Sequence, residues 1–282
     1  MIWVEAARPK TLIASFSPVL IGNVITYREA SWSPLTLLST LVAALAIQVG
    51  TNYVNDYADA LSGRDTPLRQ GPRRLTSSLC VSVASMKRAA FLAFSLAALS
   101  SCFLVLVGGY PIALLAILSI FLGYLYSLSR FSLSATGTAD LFVLLFFGVL
   151  ATGFSAYLQT GLYLKEAFIA GLAPGALSLA ILTVNNLRDY EEDLSTNKKT
   201  LVVRLGKKAG RIEYLICIYL AILTPMFLSK QHPAVILASL GLLAALPLIK
   251  QVFRSENLPQ VLSKTGFFLF VYTFLFVIGW LL

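Results

Sequence analysis

Charged residues and histidine are both scarce in this chain of 282 residues. Only 12% of the residues are charged, whereas a soluble domain carries roughly 25%. The one histidine is His232, so a mechanism that depends on a histidine base or a histidine metal site has little support. The three cysteines, Cys80, Cys102 and Cys217, form no Cys-x-x-C pair, which argues against a thiolate metal site and a disulfide framework.

Apolar residues make up 57% of the chain, and the mean hydropathy is +0.80. This composition predicts an all-α integral membrane protein, because long apolar runs span a bilayer as helices. The first run is interrupted by Pro18 and Asn23, so we interpret it as a span and not as a signal peptide. Nine apolar segments predict nine transmembrane helices in one domain over 1–282: 11–27, 35–53, 89–107, 110–126, 139–158, 167–187, 212–228, 233–249 and 265–282.

The chain carries 22 basic and 13 acidic residues, a net charge of +9. If the N-terminus lies in the cytoplasm and nine spans alternate, 19 basic residues fall on the cytoplasmic side and 3 on the outside. The positive-inside rule expects this asymmetry. The basic excess is therefore explained by a lipid bilayer, with no nucleic-acid partner. We expect a bacterial-type cell membrane, with cytoplasmic loops capping the bundle.

Seven of the 13 acidic residues lie in two short segments, which follow the second and sixth predicted spans. Asn55-x-x-x-Asp59 in the first segment repeats as Asn185-x-x-x-Asp189 in the second, 130 residues later. Four spans separate the copies, so they run in the same direction. The match predicts two pseudo-repeats, with acidic motifs at 55–65 and 185–193 on the cytoplasmic side. The acidic residues are Asp56, Asp59, Asp65, Asp189, Glu191, Glu192 and Asp193.

Residues four apart share one face of a helix, so each motif presents its oxygens together. Clustered carboxylates repel one another at a low-dielectric boundary, and Mg²⁺ would relieve this repulsion. Basic residues follow both motifs, and their side chains can bind the phosphate oxygens that a metal ion does not coordinate. No P-loop or Gly-x-Gly-x-x-Gly is present. The pattern favours a substrate with a diphosphate head and an apolar body, such as a prenyl diphosphate.

Two other interpretations remain open at this point. The acidic residues can be interfacial charges that end helices. They can also serve a cation-coupled transporter, although transporter sites usually lie near the bilayer midplane, where the predicted spans hold almost no ionisable residues.

The two motifs, 55–59 and 189–193, resemble those of the UbiA superfamily of intramembrane aromatic prenyltransferases. The superfamily pattern of the first motif ends in an aspartate where this chain has Gly63, with Asp65 two residues later. That departure, with the segment 71–76 (GPRRLT), is similar to the branch that prenylates 1,4-dihydroxy-2-naphthoate in menaquinone synthesis. The segment 137–140, which ends in Asp140, departs from the Gly-x-Gly-Glu pattern of that branch. The pocket for the aromatic acceptor is therefore expected to differ from that of the branch.

The resemblance implies a UbiA-type bundle that transfers a polyprenyl group from polyprenyl diphosphate to an aromatic acceptor, with loss of CO₂. Because CO₂ leaves in place of a proton, it implies no strong protein base. A sister enzyme acting on 4-hydroxybenzoate, another naphthoate or haem remains the alternative.

The resemblance also implies roles for individual residues. The implied catalytic residues are Asn55, Asp59, Asp189 and Asp193. The implied ligands of one or two Mg²⁺ ions are Asp56, Asp59, Asp65, Asp189 and Asp193. The implied diphosphate-binding residues are Asn185, Arg69, Arg73, Lys199 and Arg204. Arg8 and Lys10 would hold the acceptor carboxylate, and Tyr124 and Tyr126 would line the pocket of the allylic cation.

Overall fold

The computed structural model describes residues 2–63, 71, 73–128 and 133–282. Within these ranges the regular structure is helical throughout, as the sequence predicts. The helices are α1 (Ile2–Ala7), α2 (Pro9–Ile25), α3 (Pro34–Leu61), α4 (Val83–Gly108), α5 (Tyr110–Leu125), α6 (Leu133–Thr136), α7 (Ala139–Leu144), a π segment (Leu145–Val149), α8 (Leu150–Thr160), α9 (Lys165–Ala170), α10 (Leu172–Arg188), α11 (Tyr190–Ser195), α12 (Leu201–Leu205), α13 (Lys207–Leu228), a 3₁₀ turn (Pro233–Val235), α14 (Ile236–Leu243), α15 (Leu246–Arg254) and α16 (Leu258–Leu281).

Seven helical segments of the described residues are long and apolar enough to cross a membrane: Pro34–Leu61, Val83–Gly108, Ala139–Thr160, Lys165–Arg188, Lys207–Leu228, Pro233–Arg254 and Leu258–Leu281. Two shorter apolar helices, α2 and α5, accompany them. Each of the nine segments predicted from the sequence overlaps one of these helical stretches. The chain is thus an integral membrane protein, while a count of nine crossings stays a prediction.

Three of the long segments are interrupted, and two of these, Ala139–Thr160 and Lys165–Arg188, touch where they are interrupted. The π segment joins α7 to α8, and Gly171 separates α9 from α10. A Cβ atom on Gly148 would lie 2.5 Å from the Gly171 carbonyl oxygen and 2.5 Å from the Gly175 Cα. The backbones therefore meet without intervening side chains, as small residues allow between membrane helices.

We expect Gly148→Ala to destabilise the protein, because the added methyl group must push apart two backbones. The expected cost is about 1–3 kcal/mol, in the range of overpacked cores. Thermal unfolding in detergent measures it. Gly266→Ala is the matched control, since the nearest heavy atom to its added Cβ would be the Lys10 carbonyl oxygen at 3.8 Å. Equal melting temperatures for the two variants would contradict the close contact.

The buried apolar side chains form a large core, a smaller core and a third, minor cluster that includes Leu104 and Ile112. The large core packs α10, α13 and α16 together and includes Leu177, Tyr214 and Tyr272. The smaller core packs α3 against α1 and α4 and includes Tyr53 and Met86. Between helices of the large and the smaller core lies a cavity, which is lined by residues of α2, α3, α5, α7, α8 and α10.

Candidate functional site at the acidic end of the cavity

The cavity has a volume of about 610 Å³ and runs along α3. Its lining includes Thr40 near the start of α3 and Asp59 near the end. At a rise of 1.5 Å per residue, these positions are about 28 Å apart. Side chains such as Leu104, Phe146 and Phe154 make the wall apolar, and both acidic motifs contribute to the polar part of the lining. The cavity therefore suits an elongated ligand with an apolar body and an anionic head.

The first acidic motif is held together by an arginine from the following loop. Asn55 and Asp59 lie on one face of α3, as their spacing predicts. Nη2 of Arg74 donates to Oδ1 of Asn55 at 2.9 Å and to Oδ2 of Asp59 at 2.5 Å. The side chains of Arg74 and Asp59 are only 5% and 10% exposed, so the ion pair is largely desolvated.

The second motif repeats this arrangement. Nη2 of Arg188 donates to Oδ1 of Asn185 at 2.8 Å and to Oδ2 of Asp189 at 2.6 Å. Its Nε donates to Oδ1 of Asp189 at 2.6 Å, which makes the contact bidentate. The same three residue types therefore make the same bridge in both motifs, although the arginine follows the first motif through a loop and lies inside the second.

The two motifs face each other across one cavity. Asn55, Asp59, Asn185 and Asp189 all belong to its lining. Tyr126, which lines the same cavity, is close enough to interact electrostatically with Asp59 of one motif and with Asp193 beside the other. Both motifs therefore border one cavity.

Asp193 adds a third carboxylate, on α11. Nζ of Lys198 donates to its Oδ1 at 3.0 Å, and its Oδ2 is buried with no hydrogen-bond partner among the described residues. Burial raises the pKa of the Asp193 carboxyl; Lys198 opposes this shift, and the charges of Asp189 and Glu192 add to it. The negative charge here is incompletely compensated, which favours binding of a further cation.

Asp56 does not line the cavity. Its Oδ2 accepts a hydrogen bond from the Leu75 amide at 3.1 Å, and its Oδ1 accepts one from the Thr76 amide at 2.9 Å. These contacts fix the loop that carries Arg74. Asp56 was predicted as a metal ligand, and its position in the structure indicates a role in orienting that loop.

We expect Asp56→Asn to weaken substrate binding through Arg74. An asparagine keeps one acceptor oxygen but points an NH₂ group at a backbone N–H, which leaves a buried donor unpaired. The cost is about 1–3 kcal/mol in stability, and KM for the prenyl diphosphate should rise. Kinetics and thermal unfolding of the same preparation measure both effects. A variant with unchanged stability and KM would contradict the orienting role.

The basic residues at the cavity differ in part from those predicted. Arg73 is exposed and donates to Ser78 and Cys80. Lys199 is exposed too, and Arg204 donates to its carbonyl oxygen at 3.1 Å, outside the cavity lining. Five described cations line the cavity: Arg8 and Lys10, which are predicted site residues, Arg74 and Lys198, which are the sequence neighbours of the predicted Arg73 and Lys199, and Arg188. Loop conformation decides which of two adjacent basic side chains turns inward, and the sequence does not reveal it.

The two tyrosines predicted to line one pocket point in different directions. Tyr126 lines the cavity, whereas Tyr124 is 43% exposed, packs against Phe94 and borders a separate outer groove. Residues two apart on a helix lie on nearly opposite faces, so the pairing predicted for these rings is corrected here. Arg8 and Lys10 both reach the cavity, as predicted.

Two predicted site residues, Asp65 and Arg69, lie outside the described residues. Within the described part, no group of three or more Asp, Glu, His or Cys side chains is arranged to hold a metal ion. Three of the cavity's carboxylates, Asp59, Asp189 and Asp193, are instead paired with Arg74, Arg188 and Lys198. This arrangement still fits Mg²⁺ chemistry, because Mg²⁺ usually takes one or two carboxylates and obtains its other ligands from phosphate and water.

From the sequence, Arg74 and Lys198 belong to the basic residues that follow the motifs, but their neighbours Arg73 and Lys199 are the predicted phosphate-binding residues, and Arg188 has no predicted role. Arg188 carried a usable signal, because it lies between the Asn and the Asp of the second motif. Arg74 and Lys198 became recognisable only through their contacts with the acidic side chains.

Comparison with known proteins agrees with the fold. Residues 15–274 match the UbiA prenyltransferase family. A 1,4-dihydroxy-2-naphthoate octaprenyltransferase of Escherichia coli is 35% identical over 215 residues, which cover 74% of this chain and 70% of that protein.

Two solved structures of UbiA homologues have a fold similar to that of this chain over nearly their whole length. A UbiA homologue from Aeropyrum pernix superposes with a TM-score of 0.73 at 13% identity, covering 96% of this chain and 97% of that one. A UbiA homologue from Archaeoglobus fulgidus bound to GPP and Mg²⁺ superposes with a TM-score of 0.65 at 15% identity, over 100% of both chains.

Proposed function

This chain belongs to the UbiA prenyltransferase family, and we propose that it transfers a polyprenyl group from polyprenyl diphosphate to 1,4-dihydroxy-2-naphthoate, with loss of CO₂, in menaquinone synthesis. The observation that carries the proposal is the pair of equivalent Asn–Asp–Arg bridges on one apolar cavity. The Escherichia coli relative named for this reaction supports the choice of acceptor.

In this proposal, the diphosphate head lies between the two motifs. Arg74, Arg188 and Lys198 take up the charge that develops on the leaving diphosphate as the prenyl C–O bond breaks. Asp59, Asp189 and Asp193, with the amide oxygens of Asn55 and Asn185, would hold Mg²⁺, which would supply positive charge to the phosphate oxygens. The apolar length of the cavity excludes water from the tail and from the allylic cation.

The aromatic acceptor enters beside the head in this proposal. Arg8 and Lys10 belong to the cavity lining and have the charge to bind the acceptor carboxylate. The ring of Tyr126 is an electron-rich neighbour for the cation. The acceptor ring carbon attacks the cation, and the carboxyl group on that carbon leaves as CO₂.

We also propose the arrangement in the membrane. Nine spans with a cytoplasmic N-terminus put both acidic motifs at the cytoplasmic rim of a bacterial cell membrane, in one domain over 1–282. The matching Asn–Asp–Arg bridges support the two parallel pseudo-repeats inferred from the sequence.

An acceptor comparison tests the proposal. The protein in lipid receives labelled prenyl diphosphate and Mg²⁺ with 1,4-dihydroxy-2-naphthoate, with 4-hydroxybenzoate or with no acceptor, and products are identified by mass. We expect a prenylated naphthol without its carboxyl group, abolished by EDTA. If 4-hydroxybenzoate is the only acceptor that gives a product, the assignment of 1,4-dihydroxy-2-naphthoate as the acceptor is wrong. Substrate flux across the membrane without any covalent product would favour a transporter.

A further inference from the structure

Asp140, in the first turn of α7, is a buried carboxyl group in the wall of the cavity. Its residue is 6% exposed. No hydroxyl or basic side chain among the described residues donates to its carboxylate oxygens, and no ion pair to Asp140 is found among them. A carboxylate without a counter-ion is costly to bury, so stability alone does not account for Asp140 at this position.

Glu213 of α13 lies behind Asp140, outside the cavity lining. The two carboxyl groups are in hydrogen-bonding contact, and the Thr183 hydroxyl of α10 donates to Oε2 of Glu213 at 3.0 Å. A hydrogen bond between two carboxyl groups requires a proton on one of them. A pair that holds one proton leaves one ionised carboxylate that can accept another.

The position of the pair relates it to the reaction centre. Tyr126 interacts electrostatically with Asp140 as well as with Asp59 and Asp193. The reacting carbon of a prenyl diphosphate is bonded to the diphosphate, so it must lie next to the acidic motifs. Because Asp140 lines the same cavity as both acidic motifs, in the proposed complex it lies in the wall of the space that the acceptor ring enters.

We infer that Asp140 is a catalytic proton acceptor for the acceptor's ring hydroxyl, and that Glu213 is a positioning residue that keeps one proton between the two carboxyl groups. This inference rests on the proposed function and adds a role that the decarboxylative route alone does not require. It also explains why an anionic pair without a basic partner faces the acceptor.

The proton balance closes without another reactant. As the ring carbon bonds to the prenyl cation, the hydroxyl on the neighbouring carbon becomes a ketone and its proton passes to the ionised carboxylate of the pair. Breaking the bond to the carboxylate carbon releases CO₂ and returns its electron pair to the ring. The ketone oxygen becomes a naphtholate, which takes the proton back from Asp140. The pair ends in its starting state.

The test uses Asp140→Asn, which is nearly isosteric but cannot accept the proton. We expect kcat to fall by about 100-fold, the lower range of general acid–base contributions, with prenyl diphosphate binding unchanged. Asp140→Glu should recover part of kcat. Glu213→Gln should lower kcat by a smaller factor without changing KM for the acceptor. Glu29→Gln, an exposed carboxyl group in the loop after α2, is the matched control.

A second readout separates proton transfer from packing. The loss caused by Asp140→Asn should shrink with a ring-fluorinated acceptor, whose hydroxyl gives up its proton more readily. An equal loss with both acceptors, or an Asp140→Asn variant as active as wild type, would overturn the inference. Wild-type protein is assayed first: if it forms no prenylated naphthol, the proposed function fails before the role of Asp140 is tested.

Discussion

Replacing Asp189 by asparagine is expected to lower kcat for prenyl transfer by about 100- to 1,000-fold, the range seen when one preorganised electrostatic contact is lost. Asparagine keeps the shape of the side chain but removes its charge. Arg188 then loses its bidentate partner, now held by contacts of 2.6 Å, and Mg²⁺ loses a ligand in the proposed complex. Asp59→Asn should cause a loss of similar size, because Asp59 makes the equivalent contact with Arg74.

Single-turnover product formation measures this effect at saturating substrate. Glu191→Gln is the matched control: it removes a carboxylate from the same short segment, but the Glu191 side chain is 74% exposed and pairs with Lys207 at the surface. An Asp189→Asn variant that resembles Glu191→Gln would show that the second motif takes no part in ionising the substrate.

Replacing Arg188 by glutamine is expected to have the second largest effect, and to change stability as well as activity. The side chains of Arg188 and Asp189 are 4% and 7% exposed, so the variant leaves a buried carboxylate without its cation. Breaking a buried pair in this way costs about 3–5 kcal/mol. Lysine should rescue poorly, because a single ammonium cannot reproduce the bridge from Asn185 to both oxygens of Asp189.

Thermal unfolding with and without Mg²⁺ separates the two roles of Arg188. The added cation should restore part of the lost stability, whereas kcat should stay low because the leaving diphosphate still lacks the guanidinium. Arg254→Gln provides the control, since Arg254 is 58% exposed and lies 3.6 Å from Glu256. Wild-type stability and turnover in Arg188→Gln would contradict the assignment of this arginine to the site.

The helices and the acidic motifs were predictable from the sequence because both depend on local periodicity. A run of apolar residues defines a membrane helix without reference to its neighbours. The spacing of four residues puts Asn55 and Asp59 on one face wherever the helix lies. The repetition at Asn185 and Asp189 added the expectation that both faces serve one site.

The rest of the site depends on contacts between distant segments and on loop geometry. The choice of Arg74 over Arg73 follows from the loop that Asp56 fixes through two amides. The choice of Tyr126 over Tyr124 as the ring that lines the cavity follows from how α5 is rotated. The contact of Asp140 with Glu213 joins two helices that are far apart in the chain, so no local sequence pattern predicts it.

Equilibrium binding of a non-hydrolysable prenyl thiolodiphosphate, with Mg²⁺ and with protein in lipid, tests the central claim that both acidic motifs bind one diphosphate. We expect one equivalent per chain, with binding of that single ligand weakened by Asp59→Asn and also by Asp189→Asn. Two equivalents per chain, with each substitution abolishing one and sparing the other, would show that the motifs serve separate ligands and would contradict the account.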